Sequence, residues 1–210
     1  MHENQTLFTA VLEGNANVAR ETTREALKAG TEPINLVQGC MVPAMAEVGR
    51  RFEANEYFVP ELLLSARAMK AALELIRPLL LASGVKAAGR VAIGTVKGDL
   101  HDIGKNLVAA MLEGGGFEVI DLGVNVEPER FVACVRENNV DIVALSALLT
   151  TTMPAMKSTL DALKAAGVRG RVKVLIGGAP ISQRYADEIG ADGYSETAAS
   201  AVALVNRISN

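Results

Sequence analysis

Aromatic side chains are scarce in this sequence, 4% of 210 residues, and cysteine and histidine occur only twice each. Cys40 and Cys134 make no disulfide framework and lack metal-ligand spacing. A secreted disulfide scaffold and a thiolate metal site are thereby excluded, and two buried thiols in a reducing compartment are expected. There is no long basic block: the formal net charge is −3 with both signs scattered, which removes the electrostatic basis for binding nucleic acid or an anionic membrane surface. Long apolar runs are missing too. The greasiest stretch, FVPELLLSARAM, is cut by Glu61 and Arg67 and is too short to span a bilayer. The first residues, MHENQTLFTAVLEGN, carry no basic segment ahead of an apolar core, so no secretory signal is read and a cytoplasmic setting is expected. What is present, half hydrophobic and 21% charged, suits a chain that buries a core as one large domain or two small ones.

The hydrophobic period changes once along the chain. Up to residue 82 it is helical: Met41, Met45, Val48 and Phe52 form one apolar stripe, and Leu62, Ala66, Met69, Leu73, Ile76 and Leu80 form another. Pro60 followed by Glu61 marks the start of a last helix, Thr31 is the expected N-cap of a helix from Pro33 to Phe52, and Pro43 should bend that helix. With shorter helices near 4–13 and 15–29, the spacing predicts a four-helix bundle. The small-residue stretch ASGVKAAG, residues 82–89, reads as an interdomain linker and candidate hinge. Beyond it, short apolar runs (RVAIGTV, FEVIDLG, DIVALSA, VKVLIGG and a weaker ADGYS) alternate with helical stretches. That alternation predicts an α/β, flavodoxin- or Rossmann-like domain with a five-stranded parallel sheet. The expected domains are 1–86 and 87–210.

In such a sheet ligands sit beyond the carboxyl ends of the strands, where strand order reverses. Polar and glycine-rich segments fall there: Lys97 to Gly104 after strand 1, Ser146 to Thr152 after strand 3, Gly177-Gly178 after strand 4, and Ser195 to Ala198 after strand 5. The loop after strand 2, GVNVEPE, is plainer. The first of these loops is neither GxGxxG nor a phosphate-binding GK[ST] loop. It does hold His101, with Asp99 two residues earlier. In an extended loop Asp99 could reach round to orient one ring nitrogen while the other points outward, the arrangement of a metal ligand or a general base. No GxSxG nucleophile and no neighbouring His or Cys ligand exists. A solitary nitrogen donor suits a metal already held in a macrocycle. Ser146, Thr150 and the glycine pair outline a groove of small and hydroxyl residues.

Asp99-Leu100-His101-Asp102-Ile103-Gly104 resembles the DxHxxG signature of corrinoid (vitamin B12-type) binding domains, and Ser146-x-Leu148 and Gly177-Gly178 continue it in order. With the preceding bundle, nearly the whole chain resembles the corrinoid proteins of methyltransferase systems and is similar to the cobalamin-binding module of methionine synthase. The resemblance implies a cobamide bound base-off and His-on, with His101 as the axial metal ligand to cobalt. It implies a His101–Asp99–Thr152 relay as the catalytic set, the Thr152 position bearing serine in methionine synthase. Gly98, Asp102, Ile103, Gly104, Leu148 and Thr150 would contact the cofactor, Ser146, Gly177 and Gly178 would leave room for its nucleotide tail, and Ala198 would lie near the tail's end. Phe52 and Val59 would cover the upper face of the ring in a methyl cap domain, although spacing alone places both in the bundle core. Gln38 stands where the family module has glutamate.

The function so implied is a methyl carrier, a shuttle and not a complete enzyme. It would be served by a substrate-specific methyltransferase, a second corrinoid:acceptor methyltransferase and a reductive activating protein. Methanol, methylamines, quaternary amines and methoxylated aromatics are the donors such carriers serve. A B12-dependent sensor is the alternative, with a mutase small subunit and a cofactor-free response module further behind.

Overall fold

The computed structural model describes residues 2–82 and 89–209. The chain divides into two compact units, Met1–Ala87 with Ala110–Gly116, and Ala88–Ala109 with Phe117–Asn210. Residues 83–88, most of the expected linker and hinge, lie outside the described residues.

The helical unit is built on α1 (His2–Leu12), α2 (Ala16–Lys28), α3 (Pro33–Leu36), α4 (Val42–Glu53) and α5 (Val59–Ala82). A widened π-helical turn, Val37–Met41, joins α3 to α4, so these read as one interrupted helix in a four-helix arrangement. The interruption lies just ahead of Pro43, which has no N–H to give the preceding turn and crowds the carbonyl four residues back. Thr31 is not the N-cap of α3. That position falls to Glu32, with no side-chain capping bond, because Pro33 at the first turn already supplies the helical φ and needs no donor satisfied. At the start of α5, Glu61 accepts the Phe58 N–H at 3.0 Å, satisfying a donor that the new helix leaves free. Leu7, Leu36, Met41, Leu62, Met69 and Ile76 are 1% exposed or less and form the centre of this unit.

The second unit is a five-stranded parallel sheet in the order β2-β1-β3-β4-β5. Its strands are β1 (Arg90–Thr95), β2 (Glu118–Asp121), β3 (Ile142–Ser146), β4 (Lys173–Gly177) and β5 (Gly193–Tyr194). Crossover helices α6 (Ile103–Gly114), α7 (Pro128–Asn138), α8 (Pro154–Ala165) and α9 (Gln183–Ile189) separate them, and α10 (Ala198–Ser209) follows. The strands are apolar on both faces because helices cover both. Register pairs Thr95 with Ser146 and Ser146 with Gly177, which brings the ends of β1, β3 and β4 to one edge. Strand order reverses between β1 and β3, the topological position for a ligand. Among the described residues no helix is long and apolar enough to cross a membrane.

Candidate functional site

The loop after β1 is a pair of tight turns rather than the extended segment expected. The Asp99 N–H donates to the Val96 carbonyl at 3.1 Å, with Gly98 at φ +82°, the left-handed value that the third position of a type II turn demands. Asp99 then turns the chain again. Its Oδ1 accepts the His101 backbone N–H at 3.0 Å and faces the His101 Nδ1 at 2.7 Å. The two-residue spacing has this physical cause: an aspartate naturally bonds the N–H two residues on, and here the same oxygen also reaches the ring.

The other oxygen, Oδ2, accepts the Leu148 N–H at 2.7 Å and the Thr152 Oγ1 hydroxyl at 2.7 Å, both from the loop after β3. Asp99 is wholly buried. Burial pushes its carboxyl up, but the bonds from Leu148, Thr152 and both His101 groups outweigh it and hold the carboxyl well below the usual carboxylate range. A carboxylate only accepts, so Nδ1 of His101 carries the proton and donates it. Nε2 is left with a lone pair and no partner among the described residues, on a side chain 52% exposed.

Sequence reasoning missed three supports of this geometry. Thr95, fully buried at the end of β1, donates its hydroxyl to the His101 carbonyl at 2.8 Å. Asn125, in the loop read as plain, binds the Gly98–Asp99 backbone: its Oδ1 accepts the Gly98 N–H at 2.8 Å and its N–H donates to the Asp99 carbonyl at 2.9 Å. Lys105, 3% exposed, donates to Asp121 Oδ2 at 2.5 Å and Asn106 Oδ1 at 2.6 Å, while Asn106 Nδ2 donates to Asp102 Oδ2 at 3.1 Å. A lysine is rarely so buried unless paired, and this chain of contacts ties the end of β2 to the start of α6. The signals were there: a threonine closing a buried strand and an asparagine suited to a left-handed turn.

Around His101 the edge is apolar and open: Leu100 is 72% exposed, Ile103 81%, and Leu148 and Leu149 are also exposed. Asp102 starts α6, its carbonyl accepting the Asn106 N–H at 2.7 Å. A Cβ built on Gly104 meets nothing within 4 Å, so no internal packing explains a glycine in a helix's first turn. Gly178 differs. At φ +134° its built Cβ falls 1.8 Å from the Ala147 carbonyl oxygen, so the fold itself demands glycine there. Gly177 pairs with Ser146, and its built Cβ lies 3.3 Å from the Ser195 carbonyl. Thr150 is exposed. Ala198 is buried at the start of α10.

In the helical unit Phe52 is half-buried, Gln38 is exposed and Val59 is 39% exposed. Spacing alone made Phe52 and Val59 core residues; they sit instead at the two ends of the α4–α5 turn, beyond the packed stripe. Arg51 braces that turn, donating to Glu47 Oε1 at 2.8 Å and to the Tyr57 hydroxyl at 3.1 Å, and its carbonyl accepts the Glu56 N–H at 2.8 Å.

A tethered imidazole with a spare lone pair, beside exposed apolar residues and an unexplained glycine, at the switch point of a parallel sheet, has counterparts in known proteins. Models described as B12 binding domains match residues 89–203 and residues 4–77. A corrinoid protein of Desulfitobacterium hafniense is 41% identical over 205 residues, covering 96% of this chain and 95% of its own. The chain belongs to the B12-binding corrinoid proteins. A trimethylamine corrinoid protein of Methanosarcina barkeri is 44% identical over 203 residues, 96% of this chain and 94% of that one. A chain of the methanol:cobalamin methyltransferase complex MtaBC from Methanosarcina barkeri superposes on this corrinoid protein with a TM-score of 0.85 at 31% identity, covering 99% of this chain and 80% of that one.

Proposed function

We propose that this corrinoid protein is a cytoplasmic methyl carrier that holds a cobamide base-off, with His101 Nε2 as the lower axial ligand of cobalt. The observation that carries the reading is the His101 ring itself, locked at Nδ1 by a buried carboxylate and unpartnered at Nε2. The donor set fits the group. Among the described residues no cluster of three or more His, Cys, Asp or Glu could hold a bare ion, so a metal at His101 must bring its other donors, as a corrin does. Gly104, free of any internal demand, leaves space where the ring would approach.

When bound, the cobamide supplies a cobalt axial position that accepts and gives up a methyl group. The residues of the chain do the rest. Asp99, kept ionised by its donors, holds the Nδ1 proton and so keeps the Nε2 lone pair available. Thr152 and the Leu148 N–H fix the carboxylate. Leu148, Ile103, Asp102, Gly98 and Thr150 line the approach to His101. Ser146, Gly177, Gly178 and Ala198 mark the course of the nucleotide tail along the ends of β3, β4 and α10. Residues 87–210 form the corrinoid-binding domain and residues 1–86 a methyl cap domain that carries Phe52 and Val59.

The partners are a substrate-specific methyltransferase, a second methyltransferase that passes the methyl group to its acceptor, and a reductive activating protein. The methylated amine and the alcohol named for the relatives frame the methyl source as a small methylated compound of that kind. The test is the absorption spectrum of protein reconstituted with cobalamin. Wild type shows the base-off, His-on spectrum, and His101→Ala loses it together with at least about tenfold in affinity, the share of one metal–ligand contact. An identical spectrum and affinity in His101→Ala would remove the axial assignment.

A further inference from the structure

We infer that Asn125 is a positioning residue for the axial imidazole, acting through the backbone of Asp99. The inference rests on the axial reading of His101 and goes beyond it to the loop after β2. The carboxylate of Asp99 is held by donors from the loop after β3 and by His101 itself. None of these bonds fixes the peptide on which Asp99 stands. That task is shared between the turn bond from the Asp99 N–H to the Val96 carbonyl at 3.1 Å and Asn125, whose Oδ1 accepts the Gly98 N–H at 2.8 Å and whose N–H donates to the Asp99 carbonyl at 2.9 Å. One residue thus grips adjoining backbone groups, an N–H and a C=O, on either side of the Gly98–Asp99 peptide.

The grip is rigid because Asn125 is itself anchored. Its neighbours continue β2 alongside β1: the Thr95 N–H donates to the Gly123 carbonyl at 3.0 Å, and the Val126 N–H donates to the Thr95 carbonyl at 2.9 Å. Asn125 has φ +50°, in the left-handed region that asparagine enters more readily than other side-chain-bearing residues. Its partner Gly98, also left-handed at φ +82°, is the most pliant point of the His101 loop. Without the Asn125 oxygen the Gly98 N–H loses its partner and the loop can swing about Gly98, moving Asp99 and the ring it aims. Supporting contacts of this kind decide whether a ligand is aimed before its target arrives.

Two substitutions separate the acceptor from the backbone shape. Asn125→Gly keeps the left-handed conformation and the N–H but has no oxygen; Asn125→Asp restores an acceptor at the same place. Each full-length protein is titrated with hydroxocobalamin, in the wild-type and the His101→Ala backgrounds, following the His-on absorption change and the affinity. Asn125→Gly is expected to weaken binding about fivefold, the size of one ordinary hydrogen bond, with a reduced His-on signature. Asn125→Asp stays within about twofold of wild type. In the His101→Ala background Asn125→Gly has no further effect, because the route through the imidazole is already gone. Wild-type affinity in Asn125→Gly, or equal weakening in both backgrounds, would overturn the positioning role while leaving the axial assignment in place. A His101→Ala protein that binds like wild type would overturn the axial assignment and this inference with it.

Discussion

At the scale of single residues, the chemistry depends on an aspartate that has been made a better anion than aspartate normally is. Asp99 is buried, which by itself favours the neutral acid, and its hydrogen bonds reverse that preference. Thr152 donates one of them at 2.7 Å, with the Leu149 carbonyl also within reach of the same hydroxyl at 2.9 Å; the charged acceptor makes the stronger bond. Thr152→Ala is therefore expected to cost about 1.5–3 kcal/mol of folding stability in urea denaturation, the range for a hydrogen bond to a charged group, and Thr152→Ser to recover most of it. The native carboxyl lies below its unfolded value, so this stabilisation is complete at neutral pH and is lost as acid protonates Asp99. Equal midpoints for all three proteins at neutral pH would show that the Leu148 N–H suffices. The spacing of Asp99 and His101 was legible in the sequence because local turn chemistry dictates it. Thr152 was named through the resemblance, whereas the donors from Leu148 and Asn125 were harder to read, since they come from other strand ends and meet Asp99 and its loop only through strand order.

At the scale of elements, two junctions carry the design. The first is the carboxyl edge of β1 and β3, where strand order reverses and whose turns place His101. The second is the α4–α5 turn, where Glu47 gathers Arg50 and Arg51 at 2.8 Å each. Hydrogen bonds from Arg50 and then Arg51 lower the Glu47 carboxyl from 4.5 to about 2. A depressed native value means stability that is present above the unfolded value and lost as pH falls through the native one. Unfolding of the helical unit should thus show a small acid-sensitive component between pH 4.5 and about 2, reduced by salt because these groups face solvent. Glu47→Gln should flatten it. If wild type and Glu47→Gln lose stability in parallel through that window, the cluster is ornamental to folding. Helix periodicity revealed the stripes of α4 and α5. The π-helical turn ahead of Pro43 and the cap at Glu32 escaped it, because a proline's effect spreads to the turn before it and a periodic pattern carries no record of which residue ends the helix.

At the scale of the whole molecule, the chain joins a helical unit to a parallel-sheet unit. Phe52 is half-buried in the helical unit, and light tests the methyl cap role proposed for that unit. Protein loaded with methylcobalamin should lose its methyl group under light faster when Phe52 is replaced by alanine, with cofactor affinity little changed. Unaltered photolysis in Phe52→Ala would leave the residue a packing role alone. The same division explains the dispersal of the motif: the parallel sheet collects the ends of β1, β3 and β4 from positions some fifty and eighty residues apart in the sequence into one edge.

The sequence by itself determined the two periods of the chain, the strand and helix alternation and the tethering of His101 by Asp99, because each follows from contacts between residues close along the backbone. Tertiary structure alone decided which loops converge on that pair. Asn125, Thr95 and Lys105 gain their places from parallel strand order, and Gly178 from the Ala147 carbonyl that its backbone must pass. Contacts of that kind are set by register and crossover, which leave no periodic trace for a local reading to follow.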